Sequence, residues 1–215
     1  MKVGVLGSGV VGKALARGFV EAGHEVKVGT RDPKKADLVA WSQGEGAGAT
    51  AATFRDTAKH GEVLVLACLG SVVDAVIDLA GTEHFGKKLV LDATNALDFS
   101  HGMPPGLFVG VTDSLGERIQ KRLPDAKVVK CFNTVPNTLM VHPKVKGGRL
   151  EMLICGNDAA AKKRATEILK SFGWAGSLDV GGIESARWLE ALVPLWVRVG
   201  IALGNFDHMF VVARD

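Results

Sequence analysis

A chain of 215 residues, 47% hydrophobic and 23% charged, holds enough apolar material for one large domain, or for one domain and a sizeable extension. Its formal net charge of +3, with no block of Lys and Arg, argues against nucleic acid as a partner and mildly favours a small anionic ligand. Cys68, Cys131 and Cys155 are odd in number, lie in apolar runs and lack Cys-x-x-Cys spacing, which points to reduced, buried thiols rather than a disulfide framework or a zinc site.

In chain order, residues 3–6 read as a short buried strand and 10–22 as a helix with Leu15, Phe19 and Ala22 on one face, stopped at Gly23. Residues 25–29 form a second strand. Asp32-Pro33 opens a helix to about Trp41, with Asp32 as N-cap and Pro33 at the first helical position. Residues 42–50 are a glycine-rich connection and 53–60 a short helix. The apolar run 63–70 has the character of a parallel strand buried on both faces, and 72–79 is a helix with apolar residues on two faces. Residues 88–97 form a strand leading into a polar loop, and 100–110 are irregular. Ser114 and Glu117 form a capping box that opens a helix to about Leu123. Residues 127–136 are a strand ending in a polar turn, 150–155 a strand, 158–172 an amphipathic helix and 178–180 a further short strand.

The last element, 184–203, is a long apolar helix interrupted by Pro194. Arg187, Glu190 and Arg198 lie within it and argue against a membrane span. Leu189, Leu192, Trp196, Val199 and Leu203 recur at helical spacing, and a helix apolar on most faces needs more than one partner surface: the flank of the sheet, and a second subunit or more of its own core. Strands alternating with helices at this spacing predict an α/β fold built on a doubly wound parallel sheet.

Gly7-x-Gly9-x-x-Gly12 follows the first strand and opens the first helix, the context of a dinucleotide-binding turn in a Rossmann fold. Gly7 permits the tight turn, Gly9 lets the backbone approach a pyrophosphate, and Gly12 lets helix and strand pack closely. The helix N-terminus, entered through Val10 and Val11, offers free N–H groups to the phosphates, and Ser8 can add a hydroxyl. The turn begins so early that no secretory leader fits ahead of it, so the expected location is the cytoplasm.

A carboxylate at the end of the second strand would bind the ribose hydroxyls of NAD and repel the 2′-phosphate of NADP. Thr30 stands at that position and is followed by Arg31, whose guanidinium can clasp a phosphate with two donors and stack on adenine. Lys34 and Lys35 fall in the first turn of the expected helix, where cations oppose the dipole unless an anion lies nearby. The site therefore reads as NADP-selective. Cys68-Leu69-Gly70, Thr94-Asn95 and Phe132-Asn133-Thr134 all fall at carboxyl ends of strands, where ligands lie in this fold. Asn95 and Asn133 can bond a nicotinamide carboxamide or a substrate carbonyl, or can satisfy their own turns. The chain has no Ser-Tyr-x-x-x-Lys pattern, no HExxH and no Tyr at all, so a phenolic proton donor is excluded. Hydride transfer to a flavin-like ring needs none, because its demand is the face-to-face stacking of two rings.

The segments GSGVVGKALARGFVEAGHEVKVGTRDPKKA, VVKCFNTVP, ICGNDAAAKKRA and GGIESARWLEALVPLW together resemble the NADPH-dependent reductases of the deazaflavin coenzyme F420, a domain type found also as the cytosolic part of certain eukaryotic metalloreductases. The resemblance spans nearly the whole chain. It implies an NADPH site using Ser8, Thr30, Arg31 and Lys35, with nicotinamide near Asn95 and Asn133. It implies hydride transfer to or from the deazaflavin, FMN or FAD, and a homodimer packed through C-terminal helices. The implied layout is an NADP-binding Rossmann domain over 1–135 and a small C-terminal substrate and dimerisation region over 136–215, with acceptor loops at 100–110, 134–149 and 204–215. The alternatives are an NADPH-dependent reductase of another small carbonyl or imine, and a non-catalytic NADP(H) sensor.

Overall fold

Alternation along single strands decides how the sheet is covered. In the strand Val63–Leu66, Val63 and Val65 belong to one apolar cluster and Leu64 and Leu66 to another, so both faces are buried, as the period-two geometry of a strand requires. The computed structural model describes residues 1–145 and 150–213; parts of the expected acceptor loops, 146–149 and 214–215, lie outside the described residues. The strands are β1 (Lys2–Leu6), β2 (Glu25–Thr30), β3 (Ala49–Thr53), β4 (Val63–Leu66), β5 (Leu89–Asp92), β6 (Leu97–Asp98), β7 (Gly106–Leu107), β8 (Lys127–Lys130), β9 (Glu151–Gly156) and β10 (Gly176–Asp179). The helices are α1 (Val10–Glu21), α2 (Ala36–Gln43), α3 (Phe54–His60), α4 (Val73–Ala80), α5 (Leu115–Arg122), α6 (Ala159–Ser171) and α7 (Ala186–Leu203).

Eight strands form one sheet in the order β10-β9-β8-β5-β4-β1-β2-β3, and β6 and β7 pair separately as a short antiparallel ribbon. From β3 to β8 the sheet is parallel, and the chain reverses its direction of growth between β1 and β4, which opens a crevice at their carboxyl ends. The expected doubly wound parallel sheet is present, with one edge reversed: β9 runs antiparallel to β8, and β10 follows β9. A parallel return needs a crossover, usually helical, whereas the described residues between β8 and β9 contain only a 3₁₀ turn, Asn137–Leu139.

Three local expectations change. Asp32 does not cap a helix. Its carboxylate accepts from the Lys34 N–H at 2.9 Å, making a turn of its own, and α2 starts later with Lys35 at the N-cap, so neither Lys34 nor Lys35 lies inside the helix. An edge strand, β3, begins at the end of the glycine-rich connection, and the irregular loop carries β7, which pairs with β6 just ahead of the loop. The third change is the face α7 buries: Ala186, Leu189, Glu190, Val193, Val197 and Gly200 turn inward, while Leu203 is 63% exposed. α7 continues unbroken through Pro194.

Side chains cap α5 and α6. Ser114 Oγ accepts from the Glu117 N–H at 3.1 Å and starts α5, and Asp158 accepts from the Ala161 N–H at 2.8 Å and starts α6. Glu117 then receives Arg187 in a bidentate pair, at 2.8 Å from Nε and 2.6 Å from a terminal nitrogen, which ties α5 to α7. The hydrogen bond from Arg187, helped by that from Ser114 and opposed by partial burial, holds the Glu117 carboxyl below the usual carboxylate range. A depressed carboxyl stabilises the fold above its unfolded value and loses that contribution as pH falls through its folded value. Glu117→Gln is therefore expected to cost about 1 kcal/mol at neutral pH. Urea melts at a series of pH values should show the gap between variant and wild type closing below about pH 4.

Candidate functional site

A cleft of about 590 Å³ opens at the carboxyl ends of β1, β2 and β4 and reaches Ala93 just after β5. Its floor is the glycine turn. Gly7 has φ +140°, and a Cβ there would stand 2.2 Å from the Ala67 carbonyl oxygen. A Cβ on Gly12 would stand 2.0 Å from the Gly7 carbonyl oxygen, so this glycine sets how closely α1 approaches β1. Gly9 differs from both: its φ is −74°, and a Cβ would meet nothing within 4 Å. Its missing side chain leaves open space in the cleft, as close approach of a ligand to the backbone requires. No side chain caps α1, so its first N–H groups stay available to an anion.

Gly7, Ser8, Gly9, Val10, Val11, Thr30, Arg31, Lys35, Cys68 and Leu69 all line this cleft, as the sequence led us to expect. Thr30 is buried at the end of β2, and Arg31 beside it is exposed. Lys35 lies 3.3 Å from Asp37, an exposed pair that an incoming phosphate would have to open. Phe54, Ala75, Val76 and Leu79 add an apolar wall that our sequence reading did not assign to the site; its signal was the second apolar face of the helix at 72–79.

Gly12, Gly70, Asn95 and Asn133 do not line the cleft. Gly70 packs beneath it, where a Cβ would stand 2.1 Å from the Asn95 carbonyl oxygen. Asn95 and Asn133 bond to each other: Asn95 Nδ2 donates to the Asn133 carbonyl at 3.0 Å, and Asn133 Nδ2 donates to Asn95 Oδ1 at 3.0 Å and to the Leu189 carbonyl at 3.0 Å. Asn133 Oδ1 is buried and has no hydrogen-bond partner among the described residues. The preceding residue, Phe132, has φ +65°, a conformation that costs an ordinary residue about 1–2 kcal/mol and is held here by burial against Phe172.

Our sequence reading missed an ionic cluster at the same end of the sheet. Lys130 Nζ lies 2.7 Å from Asp92 Oδ2 and 2.8 Å from Glu190 Oε1, and all three side chains are buried. Glu190 also accepts from the N–H groups of Leu115 at 2.9 Å and Gly116 at 3.0 Å, and Asp92 Oδ1 accepts from the N–H and hydroxyl of Thr94. Burial opposes the charge on Lys130, but the two carboxylates outweigh it and hold the ammonium above the usual lysine range. The signal was present as one charge in each apolar run, Asp92 in LVLDATNAL and Lys130 in VVKCF. Nearby, burial and then the charge of Asp92 push the Cys68 thiol up to about 12.

Two expected acceptor loops meet behind α7. The Thr138 hydroxyl donates to Asp207 at 2.6 Å, and Trp196 stacks on His208 at 4.9 Å while its indole N–H donates to the His208 carbonyl. The described residues hold no cluster of side chains suited to a metal ion, and no described helix is long and apolar enough to cross a membrane.

Residues 2–96 match the family model for NADP oxidoreductase, coenzyme F420-dependent. A crystal structure of a candidate F420-dependent NADP reductase from Arthrobacter sp. FB24 is 44% identical, with a TM-score of 0.95 over 100% of both chains. The F420-dependent NADP reductase of Methanothermobacter marburgensis is 28% identical over 94% of this chain and 93% of its own length. Rat metalloreductase STEAP3 is 29% identical over 95% of this chain, which spans 40% of that protein.

Gly9→Ala and Gly12→Ala separate binding from folding. Gly9→Ala is expected to leave the melting temperature unchanged and to weaken dinucleotide binding about tenfold by isothermal titration. Gly12→Ala, lacking room, is expected to cost about 1–3 kcal/mol in a denaturant melt.

Proposed function

The chain belongs to the coenzyme F420-dependent NADP oxidoreductases, and on that premise we propose that it moves a hydride between NADP(H) and a flavin-like ring, with the deazaflavin coenzyme F420 as acceptor. The chemistry of the cleft lining carries this reading. Its ionisable side chains Arg31, Asp32 and Lys35 gather after β2, and past them Cys68 stands alone, with a thiol held up at about 12. The chain also lacks Tyr. Reduction of a carbonyl asks for a proton donor at the reacting atom, whereas transfer between two stacked rings asks for position. NADP(H), when bound, supplies the hydride.

The chain's own residues do the holding. The free N–H groups at the start of α1 and the open face of Gly9 suit the pyrophosphate. Arg31 suits the 2′-phosphate in two-donor geometry and covers one face of the adenine, with the wall of Val76 and Leu79 opposite. Asn95 and Asn133, which bond each other across the turns after β5 and β8, suit a place near the nicotinamide as a packed support rather than as a direct partner. The reading extends to a homodimer. Trp188 and Leu195, two turns apart on α7, are 64% and 53% exposed, and with Leu203 they form an apolar row suited to the same row of a second copy. Three unpaired cysteines support a cytoplasmic location.

Anaerobic mixing with NADPH and oxidised F420 is expected to bleach the deazaflavin absorbance, and NADH is expected to do so poorly. Bleaching of FMN or FAD alone would replace the acceptor, and no bleaching of any of the three would overturn the reaction. Arg31→Glu should weaken NADPH binding at least about tenfold and move the preference toward NADH. For the dimer, the double variant Trp188→Glu with Leu195→Glu should sediment as a monomer where the unaltered chain sediments at twice the mass.

A further inference from the structure

The ionic cluster is not electrically neutral. Lys130 contributes one positive charge, and Asp92 and Glu190 contribute two negative ones. Backbone and hydroxyl donors from Thr94, Leu115 and Gly116 spread the carboxylate charge without supplying a counter-charge, although the start of α5 offsets part of it. Arg187, on the same helix as Glu190, is occupied by Glu117. A net negative charge therefore sits buried at the ends of β5 and β8.

Its location matters more than its existence. Asp92 is followed directly by Ala93, which lines the cleft, and Lys130 stands three residues before Asn133. Cys68, also in the cleft lining, has its thiol pushed up by burial and then by the charge of Asp92. The oxidised nicotinamide ring carries one positive charge that the reduced ring lacks, and a buried charge is weakly screened by salt. Resting on the NADP(H) reading above, we propose that the Asp92–Lys130–Glu190 cluster sets the redox-state preference of the site: its net negative charge favours bound NADP+ over bound NADPH. Bound NADPH is thereby the stronger hydride donor. The three residues lie outside the cleft lining and act through their field rather than by contact.

The test is the affinity ratio, measured by titration calorimetry on the full chain with NADP+, NADPH and 2′,5′-ADP, which has no nicotinamide. A unit charge about 10 Å away at an effective dielectric of about 40 changes such a ratio about fourfold. Glu190→Gln and Asp92→Asn each remove one negative charge while keeping shape. Each is expected to lower the preference for NADP+ over NADPH about fourfold and to leave 2′,5′-ADP binding within about twofold. Glu190→Asp keeps the charge and should keep the preference. Equal changes in the affinities of both nucleotides, with an unaltered ratio, would overturn the proposal and reduce the cluster to a packing role. A loss of binding to all three ligands in the unaltered chain would instead overturn the NADP(H) reading itself. The two neutralising variants enter the cluster from different elements, so either one that folds decides the question.

Discussion

Lys130, shut off from water, lies between Asp92 and Glu190, and three parts of the chain depend on that contact. It joins the end of β5 to the end of β8, and it joins both to α7. Through the two N–H groups that Glu190 also receives, it fixes the start of α5. Stripping water from such charges costs several kcal/mol per ion and is offset only when the remaining lone pairs are bonded. Here they are: Thr94 fills Asp92, and the α5 backbone fills Glu190. The orientation of α7 follows. Its buried face is the one that carries Glu190, and the apolar row through Trp188 and Leu195 is left outside.

That orientation in turn shapes the site. The Leu189 carbonyl, one residue before Glu190, accepts from Asn133, so the helix that the cluster anchors also holds the asparagine turn. Phe132 tolerates its left-handed backbone because it is buried against Phe172, which itself packs edge-on against Phe19 of α1 at 4.8 Å. The glycine turn and the asparagine turn are thus set by one packed core.

The cleft divides its work by chemistry. Arg31, Asp32 and Lys35 are exposed and gather after β2, where a charged ligand group can displace weak surface pairs such as Lys35 with Asp37. Around Cys68 and Ala93 the lining is apolar, and burial with the charge of Asp92 keeps the thiol protonated.

By itself the sequence determined the parallel core, the glycine turn between β1 and α1, the presence of Arg31 in place of an acid after β2, and the cap at Ser114. All of these are local: the period of apolar residues, the conformation open to glycine and the reach of a short side chain act within a few positions. The sequence reading went astray where a side chain answers to a partner far along the chain. Asp92 and Lys130 are 38 residues apart, and Glu190 and the Leu115 N–H it receives are 75 apart. No spacing rule joins them, so in the sequence Glu190 reads only as a charge that argues against a membrane span, and helical spacing singles out the row through Leu189, Leu192, Trp196, Val199 and Leu203. Only the tertiary structure decided which way α7 turns, that β9 and β10 run against the sheet, and that Asn95 and Asn133 bond each other. In each case the free energy comes from contacts that exist only once the chain has closed on itself.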